Sequence, residues 1–195
     1  MMNSALIDLT LNGNTDSSRH YMTFFTLVLS LKAKNVLELG VRDGGSTIPF
    51  LMGLEYTKGN LTSVDINDNV LLRNKLQQYK NWNFVVSDAI SFLRNDSKVY
   101  DIIFIDDWHY GEHVSKELKL IENKINENSL ILMHDTMCWN TEPNYHYYLD
   151  KYGEFANGGP WGALKQLDKD IWEYVTIPVS NGLSIIRKKG QELIY

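Results

Sequence analysis

Residues 36–49 read VLELGVRDGGSTIP, and the reading of this stretch decides the fold. Val36, Leu37 and Leu39 make an apolar run that reads as the end of a buried parallel strand, closed by Glu38 and Gly40. Gly44 and Gly45 supply a bend that few other residues can make. Ser46 is placed to cap a helix that has Pro49 in its first turn. The unit is strand, glycine turn, helix. In open α/β sheets, ligands bind beside such a turn, at the carboxyl ends of the strands.

Spacing within the turn narrows the ligand. A dinucleotide turn reads GxGxxG, and its second glycine lets the backbone approach a pyrophosphate. Here Gly40 is followed two residues on by Arg42, which disfavours an NAD-type oxidoreductase. The pattern is instead Glu38, Gly40, Gly44, or ExGxxxG. Such a turn is open to a ligand without phosphates, and its acid suits a cationic group. S-adenosylmethionine carries an ammonium and a sulfonium. The stretch resembles motif I of the class I S-adenosylmethionine-dependent methyltransferases. A tight strand–helix connection that binds nothing is the competing reading.

Length and composition fit one domain spanning residues 1–195. Hydrophobic residues make up 44% and charged residues 22%, as in ordinary globular proteins. A net charge of -5 argues against broad attraction to nucleic acid. The single Cys138 excludes an internal disulfide framework and suits a reducing compartment, and it has no evident base beside it. The chain opens on no basic-plus-apolar leader, and its longest apolar-rich run, 21–31, is too short to span a bilayer. The expectation is a cytoplasmic protein without nucleic-acid or membrane partners. Repeats and linkers are missing, and the oligomeric state is left open, a homo-oligomer included.

Residues 1–35 read as an N-terminal helical segment. Its first sixteen residues carry little pattern, and then Asp16, Ser17 or Ser18 caps a helix running to about Leu31. Tyr21, Phe24, Phe25 and Val28 fall on one helical face, so this helix covers the sheet. The resemblance implies that Ser17 and Ser18 lie near the cofactor. After the glycine turn, a helix is expected over 47–55 and a second strand over 61–65, ending on Asp65. Asp65 follows the turn by about twenty residues, where an acid accepts hydrogen bonds from both ribose hydroxyls. Ile66 adjoins it in the same cofactor set, which also takes in Glu38, Gly40, Gly44 and Ser46, and Asp68 caps a helix reaching about Tyr79. A third strand over 82–87 leads to Asp88 and Ala89. Asp88 reads equally as a helix cap and, by the resemblance, as a partner of the adenine amino group, with Ala89 beside it.

Residues 100–106, YDIIFID, form a strongly apolar fourth strand, and a helix is expected to reach about Asn126 with Val114, Leu118, Ile121 and Ile125 inward. A fifth strand, 129–133, precedes His134, Asp135 and Thr136. Two adjacent strands thus end in Asp106 and Asp135, and such a pair of hard oxygen donors suits a divalent cation, magnesium first. FIDDWHYGE followed by LILMHDT is similar to the branch holding metal-dependent O-methyltransferases of sugars and macrolides. The resemblance implies Asp106 and Asp135 as metal ligands, Asp106 also at the cofactor, and His109 as general base. That branch places an acid or Asn directly after the second ligand, where this chain has Thr136, which the resemblance makes the candidate third ligand through its weaker hydroxyl. By its isolation His134 reads as structural, and Asp107 as a helix cap.

Segment 137–160 is long, aromatic and jointed by glycines, and it is expected to shape the acceptor pocket. A helix from Pro160 and two strands joined by Ser180, Asn181 and Gly182 close the chain, Asn-Gly being a strong hairpin signal. The fold expected is a Rossmann-like, mostly parallel doubly wound α/β sheet ending in an antiparallel hairpin. The activity implied is S-adenosylmethionine-dependent O-methylation of a small-molecule hydroxyl, of sugar or natural-product type, with Mg2+ assistance. A metal-free N- or O-methyltransferase, or a cofactor-binding protein without transferase activity, is the alternative.

Overall fold

A computed structural model describes residues 4–137 and 158–190. Five parallel strands form first: β1 (Asn35–Leu39), β2 (Asn60–Asp65), β3 (Trp82–Val86), β4 (Tyr100–Ile105) and β5 (Ile125–His134). Two more, β6 (Trp172–Ile177) and β7 (Leu183–Lys188), pair antiparallel with each other, and β7 pairs antiparallel with β5. The sheet order is β3-β2-β1-β4-β5-β7-β6. The order in which strands are added reverses between the parallel neighbours β1 and β4, and that switch point opens a crevice at the carboxyl ends.

Central strands are covered on both faces, which explains why they lack polar alternation. Ile102, Ile103 and Phe104 are fully buried. On one face Phe104 meets Phe24 of α2 (Tyr21–Ser30), with ring centroids 4.9 Å apart. Phe24 in turn stacks on Phe50 of α3 (Thr47–Thr57) at 5.0 Å. Each such buried ring contributes about 2–3 kcal/mol of apolar transfer. The other face is covered by α5 (Ala89–Asn95), α6 (Gly111–Ile121) and α7 (Gly159–Lys165), through Leu93, Val114, Leu118, Ile121 and Leu164.

Register sets the site. Leu39 pairs with both Val64 and Ile105, and Ile105 with Met133. Gly40, Asp65, Asp106 and His134 are therefore each the first residue beyond one row across the sheet. The closing turn at Ser180, Asn181 and Gly182 has φ of 45°, 67° and 88°, and Asn181 O accepts the Met137 N–H at 2.7 Å.

Several boundaries differ from expectation. A helix α1 (Ser4–Asn12) precedes a 3-10 turn over Asp16–His20, and α2 begins only at Tyr21. Helix α4 (Val70–Lys75) ends before Tyr79 and is capped by Asn69, whose side chain accepts the Leu72 N–H at 2.9 Å. Asp68 instead pairs with Arg73 at 2.8 Å. Helix α6 stops at Ile121, and Ile125 opens β5 opposite Tyr100. Of the expected acceptor-site loop at 137–160, residues 138–157, including Cys138, lie outside the described residues.

Candidate active site

Glu38 is fully buried and does not face the crevice, which corrects the expectation that it presents charge to a ligand. Its carboxylate accepts hydrogen bonds from Ser46 Oγ (2.6 Å), Thr47 Oγ1 (2.9 Å) and Ser63 Oγ. Ser46 therefore makes no side-chain cap on α3, because its hydroxyl is spent on Glu38. Burial pushes the Glu38 carboxyl up to about 7, against the pull of those three hydroxyls. The acid braces the glycine turn from beneath.

Above it the turn needs its glycines. Gly40 has φ +86°, and a Cβ there meets the Asp106 carbonyl oxygen at 2.2 Å. Gly44 has φ +78° and packs on Leu72 rather than lining the crevice.

Two adjoining cavities share Gly40, Val41, Arg42, Asp106 and Asp107. The larger, about 490 Å³, is lined by Asp65, Ile66, Asp88, Ala89, Trp108 and His113. Asp65 Oδ2 accepts the N–H groups of Val41 (2.9 Å) and Arg42 (3.0 Å), and Oδ1 that of Asn67 (2.8 Å). A carboxylate has about four acceptor positions, so Oδ1 keeps one for a ligand hydroxyl rather than the two parallel bonds expected. Asp88 caps α5, with Oδ1 accepting the Ser91 N–H at 2.8 Å, and still borders the cavity.

The smaller cavity, about 270 Å³, is lined by Ser17, Ser46, His109 and Asp135 among others. Ser18 is turned away, donating to Gly13 O at 3.1 Å. His109 Nε2 lies 2.8 Å from Asp135 Oδ2 and 3.5 Å from Asp106 Oδ1. Asp135 is buried and has φ +56°, a conformation that costs a non-glycine residue about 1–2 kcal/mol and is retained where the site requires it. Burial opposes a charge on His109, but Asp106 and Asp135 outweigh it and push the imidazole up to about 10. Burial likewise opposes ionisation of Asp135, and His109 and His134 together hold it well below the usual carboxylate range. The two aspartates thus favour a proton on His109, whereas the general base suggested by the sequence must start without one.

The side chain sequence reasoning missed is His134. Its Nδ1 lies 3.4 Å from Asp106 Oδ1 and 3.3 Å from Asp135 Oδ2, and its buried ring meets His20 edge-on at 5.5 Å. Its Nε2 has no hydrogen-bond partner, whereas Nδ1 is shared between the two carboxylates. Asp106, His134 and Asp135 converge closely enough to hold one cation. Thr136, expected as a third ligand, is fully buried with its hydroxyl accepting from Ser184 Oγ at 2.8 Å. His134 occupies the position beside the two aspartates.

Residues 37–136 match the family model described as "Methyltransferase domain". The chain belongs to this family. Its sheet order and closing hairpin are those of the class I methyltransferases. The methyltransferase is similar in fold to the SAH-bound PaMTH1 of Podospora anserina, at TM-score 0.69 and 17% identity over 96% of this chain and 89% of that one. It is similar also to the Bacillus cereus O-methyltransferase in complex with SAH (TM-score 0.71, 15% identity, 97% and 92% covered). TomG from Streptomyces achromogenes, an O-methyltransferase of tomaymycin synthesis in complex with SAM, gives TM-score 0.68 and 12% identity over 97% and 92% of the two chains. No curated protein matches the sequence. Among the described residues, no helix of the methyltransferase is long and apolar enough to cross a membrane.

A second cluster borders the larger cavity. Asp107 does not cap α6. Its Oδ2 lies 3.0 Å from His113 Nε2, which lies 3.4 Å from Glu117 Oε1. A His and a Glu four residues apart on an otherwise apolar helix face were the signal in the sequence for this group.

Proposed function

We propose that the methyltransferase moves a methyl group from S-adenosylmethionine to a hydroxyl of a small molecule, of sugar or natural-product type, with a divalent cation, Mg2+ first, assisting. One observation carries the reading: the two cavities meet at Asp106, with the open acceptor position of Asp65 Oδ1 on one side and the His109–Asp135 pair on the other. Gly40, Asp65, Ile66, Asp88 and Ala89 would hold the adenosyl part, and the adjoining cavity, lined by Gly40, Gly45 and Ser46, would take the rest. The cofactor supplies an electrophilic methyl on a sulfonium.

Asp106, His134 and Asp135 would hold the cation, a fit supported by the buried His134 Nδ1 standing beside two hard oxygen donors. A bound cation lowers the pKa of a coordinated hydroxyl. With their charge committed there, Asp106 and Asp135 would hold the proton on His109 less firmly, and Nε2 would then accept one from the acceptor hydroxyl. Transfer is an in-line displacement at carbon, so the walls of the two cavities contribute chiefly by alignment.

The direct 2.8 Å contact of His109 with Asp135 favours a metal-free alternative, but there the imidazole stays protonated near neutral pH and cannot act as base. The test is turnover of hydroxylated sugars and phenols with labelled cofactor, with and without chelator. Methylation that disappears on chelation and returns with Mg2+ is expected. Full activity in chelator removes the cation, and methylation of amines alone removes the hydroxyl acceptor.

A further inference from the structure

The Asp107–His113–Glu117 cluster has no part in that chemistry, and its composition is hard to explain as packing. His113 and Glu117 stand one turn apart on α6, so their side chains share a face. The same helix sends Val114, Leu118 and Ile121 into the apolar layer. Glu117 is 0% exposed, and neither carboxylate oxygen has a hydrogen-bond partner. Asp107 Oδ1 is buried without one as well. A carboxylate in such surroundings costs several kcal/mol unless something compensates it. Burial and the neighbouring Asp107 push the Glu117 carboxyl well up, and with a single proton from His113 Nε2 no side chain here can hold all three oxygens as ionised acceptors.

A metal ion can. Donors about 2.1 Å from a first-row divalent ion stand about 3.0 Å apart in octahedral and about 3.4 Å apart in tetrahedral geometry. The nitrogen-to-oxygen separations here are 3.0 and 3.4 Å. The three donor atoms all lie within 4.8 Å of one another. One imidazole with two carboxylates balances a dication and suits Zn2+ or Mn2+ better than an all-oxygen ion such as Mg2+.

We propose that Asp107, His113 and Glu117 form a structural site for a divalent transition-metal ion, Zn2+ or Mn2+, built from residues distinct from the Asp106–His134–Asp135 centre. Asp107 belongs to the loop after β4 and the other two ligands to α6, so the ion ties loop to helix. The loop carries Trp108, whose ring stacks on Tyr110 at 5.2 Å, lies 5.3 Å from His113 and borders the larger cavity. The ion thereby fixes one wall of that cavity, whichever acceptor the enzyme takes.

The experiment is metal binding by the full chain, stripped with chelator and then titrated with Zn2+ and Mn2+. Wild type and Asp135→Asn are expected to retain one ion through desalting and to melt higher with it. Glu117→Gln and His113→Gln are expected to bind at least ten-fold more weakly and to gain no melting temperature. Co2+ titration of wild type, which needs no substitution among the ligands, should quench tryptophan fluorescence, and Trp108→Phe should remove most of that quench. No tight ion in wild type, retention undiminished in Glu117→Gln and His113→Gln, loss confined to Asp135→Asn, or an equal quench in Trp108→Phe would each overturn the site.

Discussion

Ser46 Oγ donates to Glu38 Oε1 over 2.6 Å, and the acid of the glycine turn is thereby directed into the protein rather than toward the crevice. Thr47 and Ser63 complete the ring of hydroxyls around it. The acid ties β1, β2 and the start of α3 together beneath Gly40. The position that looked like a contact with cationic ligand is a brace for the glycine turn.

This brace has a pH signature. The Glu38 carboxyl lies at about 7 in the fold against 4.5 as a free side chain. Between those values the native state keeps a proton that the unfolded chain has released, so stability falls as pH rises through the window. The full effect is about 3 kcal/mol. Urea midpoints of wild type and Glu38→Gln, compared at pH 4.5 and 7.5, should diverge, with wild type losing ground at the higher pH. Parallel curves across the window would show that Glu38 does not titrate there.

Gly40 is the most constrained point of the turn. Any β-carbon there adopts a left-handed φ and meets the Asp106 carbonyl oxygen at 2.2 Å, a backbone atom that cannot swing aside. Gly40→Ala should cost more than about 2 kcal/mol, beyond the conformational penalty alone. It should also displace Asp106 and so weaken both halves of the site. Thermal unfolding within a degree of wild type would contradict the clash.

Much of the fold was legible because each parallel strand announced itself by an apolar run ending in a turn residue or an acid. Asn181-Gly182 marked the hairpin equally well. Helix α1 was not legible, since its sequence SALIDLTLN buries little beyond Leu6. The end of α6 was misread because Ile125 continues the helical spacing of Ile121, while the chain has already turned at Lys124 to pair Ile125 with Tyr100. Asp65, Asp106 and Asp135 could be placed from strand ends alone. His134 could not. Its role depends on the register that sets Met133 beside Ile105, which is a property of the sheet and not of the segment.

Asp65 serves two tasks that substitution can separate. Asp65→Ala removes the acceptor for the Val41 and Arg42 N–H groups as well as the remaining position on Oδ1. SAH binding should weaken by roughly 1.5–3 kcal/mol, the scale of a hydrogen bond to a charged group. Asp65→Asn can still accept the two turn N–H groups through its amide oxygen, so its melting temperature should stay close to wild type while affinity falls. Calorimetry showing undiminished affinity in both variants would take Asp65 out of the cofactor site.

The last prediction sets His134 against Thr136. His134 ends β5 and Thr136 lies two residues beyond it, both buried, but only His134 faces the two aspartates, whereas the Thr136 hydroxyl is engaged by Ser184. His134→Ala should therefore weaken divalent-cation binding at the Asp106–Asp135 centre by about 10–100-fold, the usual effect of losing a group that ligates or orients at a metal. It should leave SAH affinity nearly unchanged. Thr136→Val should do the reverse of what the sequence suggested. Cation affinity should hold, and stability should drop by about 1 kcal/mol as Ser184 loses an acceptor. Mn2+ titration of the two variants, each first emptied with chelator, separates the cases. Binding unchanged in His134→Ala and lost in Thr136→Val would return the third ligand to the threonine and leave His134 as packing against His20.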